Sequence, residues 1–205
     1  MADLTFYTNP MSRGQTARWM LEEVGAPYET VLLDYATTMK APDYIAINPM
    51  GKVPAIVHEG RVVTEVAAIC AYLADAFPDA GLAPAMGVRH DYYRWLFFAA
   101  GPTEAAITDR FMKVEPAGEQ RAMAGYGCFD DMVGALESAV KDKTFIAGDA
   151  FSAADVYVGA SIDWGLMFKT MPALPAFEAY VAGLRERPAY RKAKAIDAAL
   201  MPAKD

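Results

Sequence analysis

A proline at the mouth of an apolar run constrains this chain more than any other feature. Pro54 precedes Ala55, Ile56 and Val57 within the stretch from Asn48 to Leu73, NPMGKVPAIVHEGRVVTEVAAICAYL. Proline lacks a backbone N–H, so it is confined to the first residue of a strand, to an edge or to a bulge. The Val53–Pro54 bond is therefore a candidate for the cis form. A cis bond there would turn the N–H and C=O of Val53 away from the sheet and present them to an extended, peptide-like ligand, as in strand addition. After the run, Glu59-Gly60 reads as a hairpin turn, and Thr64 and Glu65 open a helix. The free N–H groups of that helix would face a carboxylate on the same ligand. The stretch reads as a recognition surface for a small peptide.

The elements around it alternate. Leu4 to Thr8 is a short strand broken by Asn9-Pro10. Ala17, Met20, Leu21 and Val24 recur at helical spacing up to Gly25, and Tyr28 to Leu33 is a second strand. A helix between two strands implies a right-handed crossover and parallel pairing. A loop with Pro42 and Pro49 follows, then the antiparallel strands Val53 to His58 and Arg61 to Val63, then a helix with Val66, Ile69, Cys70 and Leu73 on one face. The order is βαβ, a loop, ββα, which predicts a mixed four-stranded sheet. From 79 to 87 the chain is rich in Pro, Gly and Ala without periodicity, which marks a linker. Everything beyond reads as helix, at about 89–113, 119–141, 153–168 and 175–187, with a short piece before Pro202. The domains expected are 1–78, α/β, and 88–205, all-α. Within the second, Ser152 and Asp155 form a capping box, and Phe151 and Val156 occupy the positions of a hydrophobic staple.

Charge and cysteine usage exclude several classes. A net charge of −7 without clustered Lys or Arg argues against nucleic-acid binding. Residues 1–20 are interrupted by Asp3, Asn9, Arg13 and Arg18, unlike a signal peptide or membrane span, so the cytoplasm is expected. Cys70 and Cys128 show no C-x-x-C or metal-ligand spacing, and His58 and His90 are isolated, so neither a disulfide framework nor a metal site is expected.

This succession of a βαβ-ββα domain with a proline before its third strand and an all-helical domain resembles the glutathione S-transferases. The resemblance is carried by Val53-Pro54, by the turn Thr64-Glu65-Val66-Ala67-Ala68-Ile69, and by Phe151 to Val156. It suggests a bacterial cytosolic member of the serine type, or of the theta or nu kind. It implies a thioredoxin-like first domain that holds glutathione as cosubstrate, a helical domain that receives an apolar electrophile, and a homodimer. By the same resemblance Val53, beside Pro54, pairs with the cysteinyl part of glutathione, and Glu65 binds the γ-glutamyl end. Lys52, beside Gly51, either approaches the glycyl carboxylate or is simply a solvated surface lysine. The family pattern has Ser after that Glu, and here Val66 offers only its backbone N–H. That omits one hydrogen bond to a charged group, worth about 1.5–3 kcal/mol.

The chemistry implied is attack by the glutathione thiolate. A thiol with a pKa of about 8.5 needs about 3 kcal/mol of help to be mostly ionised at neutral pH. A positioned hydroxyl supplies roughly 1.5–3 kcal/mol of it and a helix N-terminus roughly 0.3–1. Ser12 lies between the first strand and first helix, where such a donor belongs, within one residue of register of Met11 and Arg13. A plain helix cap is its other reading. Tyr7, at the end of the first strand, is the rival donor. Met11, Tyr93, Phe97, Phe111, Trp164 and Phe168 are candidates to line the apolar pocket, and Cys70 is expected to be core. A transferase that also reduces organic peroxides is one expectation. A catalytically silent protein that keeps the fold for ligand carriage is the other.

Overall fold

The structure, a computed structural model, describes residues 3–201. The ends of the two expected domains, 1–2 and 202–205, lie outside the described residues, as does Pro202.

Strand β1, Leu4–Thr8, alternates buried and half-buried residues, the period of two that a central strand requires. Helix α1, Gly14–Val24, ends at Gly25, whose left-handed backbone returns its N–H to the Leu21 carbonyl. Strand β2, Glu29–Leu32, runs parallel to β1, with Phe6 beside Thr30. Strand β3, Ala55–His58, is antiparallel to β1 and pairs Phe6 with Ile56, and β4, Arg61–Thr64, is antiparallel to β3. The sheet order is β2-β1-β3-β4. This is the mixed four-stranded sheet that the crossover and the hairpin predict. Helix α3, Val66–Ala76, packs beside α1, and their buried faces meet through Ala17, Met20, Leu21, Ile69, Cys70 and Leu73. The opposite face of the sheet carries a separate cluster of Leu33, Met39, Tyr44 and Ala55, with Tyr7, Ile47 and Val53 packed against it.

Two features of this unit depart from expectation. The segment read as a loop holds a 3-10 turn at Thr38–Lys40 and a one-turn helix, α2, at Pro42–Ile45 with proline at its start. The last helix also belongs here. The described residues divide into one unit that runs to Leu82 and resumes at Arg187, and a second of Ala83–Glu186, a division that differs from the expected 88–205 at the C-terminal end. The C-terminal helix, α10, Pro188–Ala199, packs on α1. The cause is charge. Arg18 on α1 is 1 % exposed, and its Nε donates to Asp197 Oδ1 at 2.7 Å. Arg187 donates through two nitrogens to Glu23, at 2.6 and 2.8 Å. A buried guanidinium without its carboxylate would be strongly destabilising, which ties α10 to this unit. The expected linker, 79–87, is likewise divided, and Leu82 is buried.

The second unit is helical: α4, His90–Phe98; α5, Glu104–Phe111; α6, Gln120–Met123; α7, Phe129–Val140; α8, Ala153–Met167; and α9, Pro175–Arg185. The single helix expected at 89–113 is broken by a π-turn at Ala99–Thr103 containing Pro102, because proline has no N–H to continue the ladder. The helix expected at 119–141 is two, α6 and α7, separated by Gly125-Tyr126-Gly127. Helix α8 is this unit's core element, with residues 151–160 all buried. Its start is the capping box that the sequence predicts. Asp155 Oδ2 accepts from the backbone N–H and the hydroxyl of Ser152, both at 2.9 Å, while Oδ1 accepts from Ile146 N–H at 2.7 Å and Tyr180 hydroxyl at 2.8 Å. Phe151 and Val156 are both buried at the staple positions.

Candidate active site

The loop between β1 and α1 is built around Asn9. Its Oδ1 accepts from Met11 N–H at 2.9 Å, an Asx turn, and its Nδ2 donates to Leu33 O at 2.8 Å, which anchors the loop to the end of β2. The turn delivers Ser12 to the start of α1, 7 % exposed. There the Ser12 hydroxyl donates to Asn9 O at 2.6 Å and accepts from Gly14 N–H at 2.9 Å. Ser12 thus satisfies the N–H of the first residue of α1 from one position outside the N-cap, Arg13, which has no side-chain cap bond, and the N–H bond it accepts polarises its O–H. Gly14 is required by space: a Cβ there would lie 1.9 Å from Thr8 Oγ1 and 2.9 Å from Ser12 Oγ. Met11 beside it is 60 % exposed.

Tyr7, one residue before the end of β1, packs by its ring against Tyr44 at 5.6 Å between centroids. Its hydroxyl has no hydrogen-bond partner among the described residues. The alternation of β1 places it on the sheet face opposite Phe6, with Val53.

The Val53–Pro54 bond is cis. Pro54 is buried and Val53 half-buried, and neither the N–H nor the C=O of Val53 has a hydrogen-bond partner among the described residues. Sheet pairing begins only at Ala55. A short polar edge is therefore left open between β3 and the loop before it. At the other end of the hairpin, Glu65 has φ 65° and ψ 121°, a conformation that a non-glycine residue adopts at a cost on the order of 1–3 kcal/mol. Glu65 is exposed and does not cap α3, whose first N–H groups carry no side-chain cap. Val66, the first residue of α3, is half-buried. The Lys52 side chain is exposed and its Nζ has no partner among the described residues.

Three residues of this region carry no sequence motif. Lys40 Nζ donates to Gly51 O at 2.7 Å, and Tyr44 and Asn48 both donate to Lys52 O, at 2.5 and 2.8 Å. The only available signal was Pro42-Asp43, a proline and an acid at a helix start.

The aromatic candidates of the helical unit form two ring pairs. Tyr93 and Phe97 on α4 lie 6.4 Å apart, and Trp164 and Phe168, at the end of α8, 5.1 Å. Phe111, at the end of α5, is 81 % exposed. None of the five lines a cavity of about 320 Å³ in this unit bordered by Arg110, Arg121, Tyr126, Cys128 and Asp131, or one of about 420 Å³ bordered by Asp91, Lys143, Phe145 and Asp149.

The two thiols have opposite environments. Cys70 is fully buried on α3, and burial pushes its thiol far up. Cys128 is partly exposed at the start of α7, with Arg121 Nη2 2.7 Å from its sulfur. Titration of the native protein with an aromatic disulfide reagent is expected to count one thiol, and a second only in denaturant. Two fast thiols without denaturant would contradict the packing of α3.

No described residues form a group of three or more His, Cys, Asp or Glu placed to hold a metal ion, and no described helix is long and apolar enough to cross a membrane.

Residues 11–76 match the family model of the glutathione S-transferase N-terminal domain, and residues 97–188 that of the C-terminal domain. Glutathione S-transferase GstA of Escherichia coli O157:H7 is 30 % identical over 174 residues, covering 82 % of this chain and 86 % of the relative. Glutathione S-transferase GST-4.5 of Xanthomonas campestris is 28 % identical over 185 residues, covering 85 % and 90 %. A glutathione S-transferase of a sphingomonad, solved in complex with glutathione, superposes with a TM-score of 0.77 at 30 % identity, covering 95 % of this chain and 98 % of that one.

Proposed function

This chain belongs to the glutathione S-transferase family, an enzyme family, and from that premise we propose that its first unit binds glutathione along Val53 and the start of α3. Glutathione transferase activity in general follows from the relatives. The residues, the electrophile and the assembly are the proposal.

The observation that carries the binding mode is the open backbone of Val53. An N–H and a C=O without partners beside a sheet are what the cysteinyl backbone of an extended tripeptide would complete. The γ-glutamyl end then reaches α3, where uncapped N–H groups meet its carboxylate and Glu65 meets its ammonium. The unusual backbone of Glu65 supports this role, since such conformations cluster at ligand sites. Lys52, with a free ammonium, serves the glycyl carboxylate. Val66 contributes its N–H alone, so binding depends more on the helix terminus than it would with a hydroxyl there.

Ser12 is the proposed donor to the thiolate. Its hydrogen, given to Asn9 O without ligand, would turn to the sulfur, while Gly14 N–H continues to polarise the oxygen. The thiolate attacks an apolar electrophilic carbon, the C–S bond forms as the leaving group departs with its electron pair, and the thiol proton passes to solvent. Tyr7 is a second reading, favoured by its unpartnered hydroxyl. Reduction of organic peroxides, in which a second glutathione supplies the other thiol of the disulfide product, a homodimer and a cytoplasmic setting complete the proposal, with the two ring pairs of the helical unit as candidate contacts for the apolar substrate.

Calorimetric titration with glutathione, together with turnover of an aromatic halide, tests it. Saturable binding with turnover supports a transferase. Binding without turnover of any electrophile would favour a carrier, and no binding at all would overturn the site.

A further inference from the structure

The carbonyl of Lys52 receives two hydrogen bonds, although one would satisfy it. Tyr44 hydroxyl donates at 2.5 Å and Asn48 Nδ2 at 2.8 Å, and both side chains come from residues only 3 % exposed. Asn48 is itself locked, since its Oδ1 accepts from Met50 N–H at 3.1 Å and its N–H donates to Tyr44 O at 2.8 Å. The Tyr44 phenol stays protonated, because burial pushes it up to about 12. The preceding carbonyl, of Gly51, is held by Lys40 Nζ at 2.7 Å. Gly51 has φ 55°, and a Cβ there would lie 2.8 Å from Lys40 Nζ and 2.9 Å from Ile45 Cδ1, so the loop is closed down onto these side chains.

The Lys52–Val53 peptide is trans; the one cis bond among the described residues is the next, Val53–Pro54. In a planar trans peptide the C=O and N–H point in opposite directions. Two donors on Lys52 O therefore fix the plane from behind and aim the Val53 N–H the other way, where it has no partner. Hydrogen bonds to the carbonyl of an amide also polarise its N–H and strengthen it as a donor. We propose that Tyr44 and Asn48 are positioning residues for glutathione: by clamping the Lys52 carbonyl, they orient and strengthen the Val53 N–H that binds the cysteinyl backbone.

The inference rests on the proposed binding mode and leaves the sulfur chemistry untouched, which sets its test. In the full chain, Tyr44→Phe and Asn48→Ala are each expected to raise the Kd and KM for glutathione about five- to tenfold, the worth of roughly one hydrogen bond. With glutathione saturating, kcat and the pKa of the bound thiol should stay within about twofold of wild type. The double variant should lose less than the product of the two, because both act on one carbonyl. The Val53 amide proton, followed by NMR, should move downfield on adding glutathione to wild type and move less in either variant. A folded variant with wild-type Kd and a wild-type Val53 response would overturn the inference alone, as would a fall in kcat at unchanged KM. If wild type itself does not bind glutathione, the proposed function falls first and this inference with it. Should Tyr44→Phe fail to fold, Asn48→Ala carries the same test.

Discussion

Ser12→Ala is expected to lower kcat/KM for conjugation by about 10- to 100-fold and to raise the pKa of bound glutathione by about 1–2 units. These figures are the roughly 1.5–3 kcal/mol of one hydrogen bond to a charged sulfur, read as a rate and as a pKa. The lower end is favoured, because the Ser12 hydroxyl gives up its 2.6 Å bond to Asn9 O to serve the thiolate. Glutathione affinity should change far less, since the proposed binding contacts are those of Val53 and the start of α3. Tyr7→Phe is the companion measurement, and it should keep activity within about threefold, as expected of a phenol that only packs against Tyr44. The reverse pattern, an active Ser12→Ala and a weak Tyr7→Phe, would move the donor to Tyr7 and leave Ser12 a structural residue of the turn between Asn9 and Gly14. Initial rates over a range of glutathione concentrations, with the thiolate absorbance of the binary complex, separate the two.

Asp155→Ala should be the most damaging single change to stability in the helical unit. One carboxylate accepts from Ser152 N–H, Ser152 hydroxyl, Ile146 N–H and Tyr180 hydroxyl, and it is fully buried. Burial raises its pKa and the donors oppose that shift, so the network, not the charge alone, is what holds the site. Alanine would leave several buried donors without an acceptor, each costing about 1–3 kcal/mol where water cannot reach. A total of about 3–5 kcal/mol corresponds to a melting temperature lower by about 10–15 °C for a chain of this size. Ser152→Ala, which removes only the cap hydroxyl, should cost about 1 kcal/mol. A melting curve for Asp155→Ala within 3 °C or so of wild type would show that the start of α8 is not a stability determinant.

What the sequence made legible follows the reach of each signal. The strands, the hairpin at Glu59-Gly60, the end of α1 at Gly25 and the capping box at Ser152 are written in residues a few positions apart, and each is where its pattern places it. Pro54 was read from one residue's missing N–H. Tyr44 and Asn48 carry no sequence signal because α2 is a single turn, too short to show a period, and Pro42, which begins that turn, is equally compatible with a loop. The break at Pro102 lies inside a stretch that the sequence pattern reads as one helix, 89–113, because a π-turn can carry proline without ending the helical run. The contrast between Ser12 and Tyr7 turns on which hydroxyl already has a partner, a property of folded geometry alone.

Arg18 illustrates the opposite limit, a side chain whose meaning lies 179 residues away at Asp197. That distance has a consequence for synthesis on the ribosome. Residues 83–186 are continuous, so the helical unit can close as soon as they have emerged. The first unit, although made earliest, lacks the carboxylate for its buried guanidinium until α10 leaves the exit tunnel. Of the two units, the one whose residues are translated first is thus the one completed last.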